Sequence, residues 1–312
     1  MTHIVTLSRS LPLPQITAAE KPVTFQAVSA VSDIPEGTQV HCTTALDPLT
    51  AEAIAALPES VRLIANIGVG VDNIDLAAAA ARGIAVSNTP VVTEDTADLC
   101  FALILAACRK LGENERFVRA GNWGPDAMMA AMGTRVHGKT LGLIGMGPIA
   151  QAVARRAQGF NMPLVYWNRT RRSELEAELG LSWAESPDDL VQRADIVSLH
   201  CALTPDTKNI INGDRLAQFR ESAVVVNTAR GALVDETALV SALNSGHLGA
   251  AGLDVFAQEP RLHPGLFDLE NVVLTPHIGS ATNECRSDMA ARALGNIVSF
   301  LETGAPMDPV QP

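Results

Sequence analysis

The run Leu141-Gly-Leu-Ile-Gly-Met-Gly-Pro-Ile-Ala150 constrains this chain more than any other stretch. An apolar, strand-like segment from Thr140 to Ile144 enters a glycine turn, and an apolar helical pattern begins at Pro148. Strand, glycine turn and helix in that order aim backbone N–H groups at the space where the phosphates of a dinucleotide can rest. Gly145 suits the tight turn, Gly147 lets a phosphate approach main chain without a Cβ in the way, and Ala150 takes the third small position. Alone, the motif also fits an ordinary βα turn. With its flanks, it marks Gly145, Met146, Gly147, Pro148 and Ile149 as a candidate phosphate cradle in a doubly wound α/β domain.

The next strand, 163–167, ends in Asn168-Arg-Thr-Arg-Arg172. A site for NAD usually carries Asp or Glu there to accept hydrogen bonds from the ribose 2′-OH. Here Asn168 is neutral and Arg169 and Thr170 follow. A carboxylate would repel a 2′-phosphate, whereas a guanidinium binds one by charge-assisted hydrogen bonds. The cluster also suits a solvated basic helix start, but the missing acid favours NADP(H), with NAD still possible.

A chain of 312 residues is long for one core. Short strand patterns at 3–7, 62–66 and 84–87 alternate with alanine-rich helical segments at 50–57 and 76–81, which reads as a smaller α/β domain. A long helical run is expected from Thr93 toward Arg119, broken by the Gly121 to Pro125 segment. After Gly147, strands at 196–199, 223–227, 249–253 and 272–274 and a helix at 235–245 continue a doubly wound sheet. A last helix, 282–301, would return to the first domain. The expected domains are 1–93 with 284–312, and 94–283, with a cleft between them as the active site.

Composition excludes several functions. The chain is 47% hydrophobic and 18% charged, with a formal net charge of −11, which argues against a nucleic-acid surface and against disorder. Cys42, Cys100, Cys108, Cys201 and Cys285 are odd in number and form no Cys-x-x-Cys pair, so neither a disulfide framework nor a metal site is expected. The longest apolar run, 99–108, is too short for a membrane span, and the strand-like N-terminus lacks a basic signal start. A cytoplasmic protein is expected.

Ligands of open α/β sheets bind beyond the carboxyl ends of the strands. Three ionisable residues lie there: Arg230 in Asn227-Thr-Ala-Arg-Gly231, Glu259 after Gly252-Leu-Asp-Val-Phe256, and His277 in Thr275-Pro-His-Ile-Gly-Ser280. Each alone has a plainer reading as a loop residue. Together they match what hydride transfer to a 2-keto acid needs: a proton donor at the carbonyl, a carboxylate to orient the ring, and a cation for the acid.

These segments closely resemble the signatures of the D-isomer-specific 2-hydroxyacid dehydrogenases, as do Asn66-Ile-Gly-Val-Gly-Val-Asp-Asn-Ile-Asp75 and His137-Gly-Lys-Thr-Leu-Gly142. The resemblance spans nearly the whole chain and is nearest in kind to glyoxylate and hydroxypyruvate reductases. It implies a Rossmann cofactor domain beside a smaller flavodoxin-like substrate domain. His277 would be the acid/base, Glu259 its partner and Arg230 the substrate anchor, with the substrate carboxylate held at Val69 and Gly70. Asp254 would serve the nicotinamide carboxamide, and Cys201, Thr207, Thr228, Ala229, Arg230, His277 and Gly279 would contribute other cofactor contacts. A homodimer is implied, with segment 123–137 in its arm, and a small 2-keto acid or D-2-hydroxy acid as substrate.

The chain departs from the family pattern at Pro148, where Arg is common, at Ala150, and at Ala202, where proline is common. Glu259 argues against the formate-oxidising branch, which has glutamine there. The end at Pro312 argues against phosphoglycerate dehydrogenases with a regulatory tail. A dinucleotide-sensing binding protein of the co-repressor type is the alternative reading.

Overall fold

The computed structural model describes residues 2–9, 15–125 and 132–311. The chain divides into two compact units, Met1–Val92 with Ser280–Pro312, and Thr93–Gly279. Unit 1 opens with β1 (His3–Leu7), β2 (Thr17–Ala18), β3 (Lys21–Ala27), β4 (Thr38–Thr44), α1 (Ala51–Ala55), β5 (Leu63–Ile67), α2 (Leu76–Ala81) and β6 (Ala85–Ser87). Unit 2 runs through α3 (Thr93–Cys108), α4 (Leu111–Arg119), β7 (Leu141–Ile144), α5 (Pro148–Gln158), β8 (Leu164–Trp167), α6 (Ser173–Leu179), β9 (Leu181–Trp183) and α7 (Pro187–Arg193). It continues with β10 (Ile196–Leu199), α8 (Gly213–Leu216), β11 (Ala223–Asn227), α9 (Glu236–Asn244), β12 (Leu248–Leu253) and β13 (Val272–Leu274). The chain then returns to unit 1 with α10 (Asn283–Thr303) and β14 (Pro309–Val310).

Unit 2 is a parallel sheet in the order β13-β12-β11-β10-β7-β8-β9. This is the doubly wound Rossmann order with one added strand, and its direction reverses between β7 and β10. Both faces are covered, so β11 reads as a continuous apolar run instead of an alternation. Val224 and Val226 enter one core with Leu103, Ile104 and Val153. Val225 enters the opposite core with Leu190 and Leu239. Ser186 caps α7 by accepting from Asp189 N at 3.0 Å, and Asp188 and Asp189 lie in its first turn, where the helix dipole favours them.

Unit 1 has the order β14-β6-β5-β4-β1-β3-β2. Its five central strands are parallel in the flavodoxin-like order, and the short edge strands β2 and β14 pair antiparallel. Ile54, Ile64, Ala79 and Val86 pack on one face. Val5, Val40, Leu63 and Ile297 pack on the other, Ile297 coming from α10.

The single helix expected from Thr93 toward Arg119 is two helices. Lys110 takes a left-handed backbone (φ 51°) between α3 and α4. The Cys108 carbonyl, which a continuing helix would use internally, accepts Thr134 N at 2.6 Å instead. The main chain at Gly133 packs so close that a Cβ there would lie 2.5 Å from that oxygen. Tertiary packing on the last turn of α3 therefore ends it without proline.

His41 on β4 is 3% exposed and shares a 3.0 Å hydrogen bond with Thr6 Oγ1. Burial drives its pKa down to about 4, and the charge of Asp47 only partly opposes this. An unfolded histidine titrates near ~6.5, so between these values the unfolded chain binds a proton that the folded chain refuses. The stability held by the neutral ring is complete above the upper value and is lost as pH falls through the window, by up to about 3 kcal/mol. Urea unfolding across that range should show a pH slope that His41→Asn flattens by about one proton. An unchanged slope in the variant would mean the ring takes no part in acid unfolding.

Candidate active site

Gly145 leaves β7 with φ +99°, and a Cβ there would lie 2.6 Å from Cys201 N and 2.7 Å from the His200 carbonyl carbon. Only glycine allows β7 and β10 to close up this far at their carboxyl ends, where the strand order reverses. Gly147 caps α5 without any side chain bonding to the first-turn amides, and a Cβ there would meet nothing within 4 Å. Thr228 Oγ1 nearby in the sheet order, on the loop after β11, is buried without a hydrogen-bond partner. An open backbone cradle at an uncapped helix N-terminus, with a buried hydroxyl to satisfy, fits a dinucleotide.

The turn's donors are fewer than its length suggests. Gly145 N donates to Trp167 O at 2.8 Å, Met146 N donates to Asn168 Oδ1 at 3.3 Å, and Pro148 has no N–H. Gly147 and Ile149 carry the remaining amides. Asn168 braces the turn from the β8 side, and its Nδ2 donates to Thr170 O at 2.8 Å. Of the arginines that follow, Arg171 forms a two-bond pair with Glu176 at 2.7 and 2.8 Å, and Arg172 pairs with Glu174. Arg169 is exposed and makes no ion pair among the described residues.

Arg230, Glu259 and His277 follow β11, β12 and β13. Glu259 Oε2 and His277 Nδ1 are 2.7 Å apart, and the other carboxylate oxygen accepts Phe256 N at 2.9 Å. Burial pushes the Glu259 carboxyl up, but the bonds from His277 and Phe256 and the charges of His277 and Arg230 outweigh it and hold its pKa below the ordinary value. An ionised Glu259 only accepts, so Nδ1 is the donor and Nε2 is the ring atom left over. Arg230 Nη1 donates to Ala229 O at 2.7 Å. Asn227 fixes this turn, its Oδ1 accepting Ala229 N at 3.0 Å and its Nδ2 donating to Arg230 O at 2.9 Å.

His277 has a left-handed backbone (φ 54°), an uncommon conformation for a side chain of this size. Asp254, 1% exposed, holds it there. Asp254 Oδ1 accepts Thr275 Oγ1 at 2.6 Å and Ile278 N at 2.8 Å, and Oδ2 accepts Gly279 N at 2.9 Å. Its main-chain carbonyl takes His277 N at 2.9 Å. The residue assigned to the nicotinamide by resemblance is thus already committed to the loop that carries His277.

Other expected contacts are placed unevenly. Cys201 is a half-buried thiol pushed up to about 11 by burial, so it is no nucleophile. The Thr207 hydroxyl donates to Ala202 O at 2.7 Å and organises its own turn. Val69 and Gly70 lie in unit 1 on the loop after β5. Of the expected dimer arm, 126–131 lie outside the described residues. Three features escaped sequence reasoning. Gly231 approaches the β12 loop so closely that a Cβ would lie 1.9 Å from the Phe256 carbonyl carbon. His200, driven to a pKa of about 4 by burial, bonds Ser198 Oγ at 2.9 Å, and that oxygen lies 3.2 Å from Cys100 Sγ. In unit 1, Asn66 and Asn88 donate to the 68–70 loop. Only the glycine of Arg-Gly231 and the asparagines of the 66–75 motif signalled any of this. Among the described residues no cluster could hold a metal ion, and no helix is long and apolar enough to cross a membrane.

Residues 101–279 match the family model described as D-isomer specific 2-hydroxyacid dehydrogenase, NAD binding domain. A glyoxylate reductase of Thermococcus litoralis is 43% identical over 265 residues, spanning 83% of this chain and 80% of that protein. The crystal structure of a glyoxylate reductase from Paecilomyes thermophila superposes with a TM-score of 0.88 at 35% identity, covering 99% of this chain and 98% of that one. The NADPH-dependent glyoxylate/hydroxypyruvate reductase of Sinorhizobium meliloti, solved in complex with NADP and malonate, gives a TM-score of 0.88 at 29% identity over 99% of this chain and 97% of that one. The chain belongs to the D-isomer specific 2-hydroxyacid dehydrogenase family. It is a nicotinamide-dependent oxidoreductase of 2-keto and 2-hydroxy acids.

The contact at Gly231 has a direct consequence. Gly231→Ala forces the Phe256–Glu259 segment or the Arg230 turn to move, an overpacking cost of about 1–3 kcal/mol. Thermal unfolding should show that loss, and activity per folded molecule should fall as well, because Glu259 and Arg230 lie on the two segments forced apart. A variant of wild-type stability and activity would mean the close approach is relieved without effect.

Proposed function

We propose that this chain is an NADPH-preferring reductase of small 2-keto acids, of the glyoxylate/hydroxypyruvate kind, that forms D-2-hydroxy acids with His277 as proton donor. The observation that carries the reading is the 2.7 Å His277–Glu259 pair at the strand ends of a sheet with a phosphate-binding turn. The bound nicotinamide supplies the hydride. His277 gives its Nε2 proton to the carbonyl oxygen, and Glu259 stabilises the charged ring while fixing its orientation. Arg230 binds the carboxylate and polarises the carbonyl, since its planar guanidinium offers two parallel donors. Val69 and Gly70 supply main-chain donors to the carboxylate. Gly145, Met146, Gly147, Pro148 and Ile149 form the turn that takes the pyrophosphate, with Thr228 and Ala229 beside it.

The case for NADPH rests on Arg169. Its neighbours Arg171 and Arg172 are committed to glutamates, which leaves one exposed guanidinium beside a neutral Asn168. A homodimer is supported by the exposed Leu111, Val118, Trp123 and Met132 on and after α4, apolar surface of the kind that partner subunits cover. Five free cysteines, four of them buried, support a reducing, cytoplasmic setting. No observation specifically favours the dinucleotide-sensing alternative.

Steady-state kinetics with glyoxylate and each reduced cofactor test the reading. Arg169→Ala should raise the KM for NADPH by about tenfold or more, the worth of a charge-assisted hydrogen bond, and change that for NADH little. Equal effects on both cofactors would remove the 2′-phosphate argument.

The pH profile tests the proton donor. Reduction requires the imidazolium and oxidation the neutral ring, so reduction should fall as pH rises while oxidation increases. Glu259 stays ionised well below neutrality because its carboxyl is held down. Removing that charge in Glu259→Gln should move the alkaline limb of reduction to lower pH. A profile that overlays the wild type would show that the two groups are not coupled.

A further inference from the structure

In the loop after β5, every carbonyl from 68 to 70 is hydrogen-bonded. Asn66 Nδ2 donates to Gly68 O at 3.2 Å and to Gly70 O at 2.8 Å. Asn88 Nδ2 donates to Val69 O at 2.8 Å. Thr89 closes the arrangement from the strand side: its N–H also donates to Gly68 O, at 3.1 Å, and its hydroxyl accepts Gly68 N at 2.9 Å. The Val69 and Gly70 N–H groups donate to nothing among the described residues. Val69 is 39% exposed, while Asn66 is 1% exposed and Thr89 fully buried. Asn66 is itself held by Asn73, whose Nδ2 lies 3.5 Å from Asn66 Oδ1 and donates to Thr44 O at 2.9 Å and Asp47 O at 3.2 Å.

The consequence is electrostatic. A peptide loop ordinarily shows an approaching anion both N–H and C=O dipoles. Here the negative ends are bonded by the amides of Asn66, Asn88 and Thr89, and the N–H groups of Val69 and Gly70 are left over, as in an anion-binding nest. Two open N–H groups on adjacent residues suit the two charged oxygens of a carboxylate, and a neutral ester, a weaker acceptor without the charge, gains less from them.

We infer that Asn66, with Asn88 in support, is the positioning residue that makes the 68–70 loop a carboxylate receptor and so gives the enzyme its preference for free keto acids over their esters. This rests on the reading of the protein as a 2-keto acid reductase. Asn66 touches no substrate on this account. It acts by holding the Gly68 and Gly70 carbonyls away. Asn66→Leu keeps nearly the same shape and removes both donors, freeing carbonyls to turn toward the bound anion. Asn88→Ala removes the single bond at Val69 and is the milder change.

The test compares wild type and both variants on glyoxylate and on methyl glyoxylate, and measures oxalate binding to the protein with NADPH by calorimetry. For Asn66→Leu the KM for glyoxylate and the Kd for oxalate should rise about tenfold or more. Turnover at saturation and kcat/KM for the ester should stay within about threefold, so the acid-over-ester preference collapses. Asn88→Ala should shift the same quantities in the same direction by less, and it decides the matter if Asn66→Leu does not fold. Equal losses on acid and ester, or unchanged oxalate binding, would overturn the inference. A wild-type protein that binds oxalate but reduces neither compound would defeat the functional reading, and the oxalate comparison between variants would still judge the loop.

Discussion

The geometry around His277 depends on one buried carboxylate. Asp254 directly follows β12 and gathers three donors from the loop that leaves β13, while its own N–H is tied to Asn227 O at 3.0 Å on β11. A buried anion is tolerated when its oxygens are satisfied, and here the donors are two amides and a hydroxyl at short range. That saturation over-determines the loop and sustains the left-handed backbone at His277, a conformation that costs of order 1–3 kcal/mol when unsupported. In that conformation the ring meets Glu259. Asp254 thus links three adjacent strand ends, and the residues read as catalytic lie on the same three.

Close main-chain approach does the rest. At Gly145 the turn leans on His200 and Cys201, and at Gly231 the Arg230 turn leans on Phe256 and Ala257. Both contacts join neighbouring strands at their carboxyl ends, where an open sheet has no side-chain layer to pin its loops. Backbone against backbone is a stiff contact, with no rotamer to yield. Loops that carry chemistry are usually the mobile parts of a fold. Here they are fixed by glycine contacts and by Asn227, which brackets Arg230 from both sides.

Much of this was legible in the sequence. β7, β10 and β11 are short apolar runs bounded by turn residues, and a sheet covered on both faces requires that pattern. The family signatures lie at strand ends, so reading the strands placed Arg230, Glu259 and His277 in one sheet before any distance was known. The failures share a cause. β4, Thr-Gln-Val-His-Cys-Thr-Thr, hides a buried strand in polar letters: Thr38 and Thr43 are satisfied by carbonyls in the adjoining turns, and His41 by Thr6 on β1. The break at Lys110 comes from main chain near Gly133 taking the last carbonyl of α3. In the 68–70 loop, the carbonyls of Val69 and Gly68 are also bonded by Asn88 and Thr89, about twenty residues on. Period and local propensity report what a segment does alone, and each of these features is decided by a second segment.

Asn168 shows why neutrality at that corner has structural as well as electrostatic weight. Its Oδ1 accepts Met146 N from the glycine turn, and its Nδ2 donates to Thr170 O on the arginine loop. A carboxylate could keep the first bond but not the second, and it would place a negative charge against the Thr170 carbonyl. The exposed pairs of Arg171 and Arg172 with glutamates contribute little to stability, yet they settle which guanidinium remains uncommitted. Arg169 is left beside a neutral amide that also ties the glycine turn to the loop bearing Arg169. A change at 168 toward an acid would therefore alter the charge beside Arg169 and loosen the brace at once. In this chain the shape of the glycine turn and the charge at its edge are coupled through one side chain.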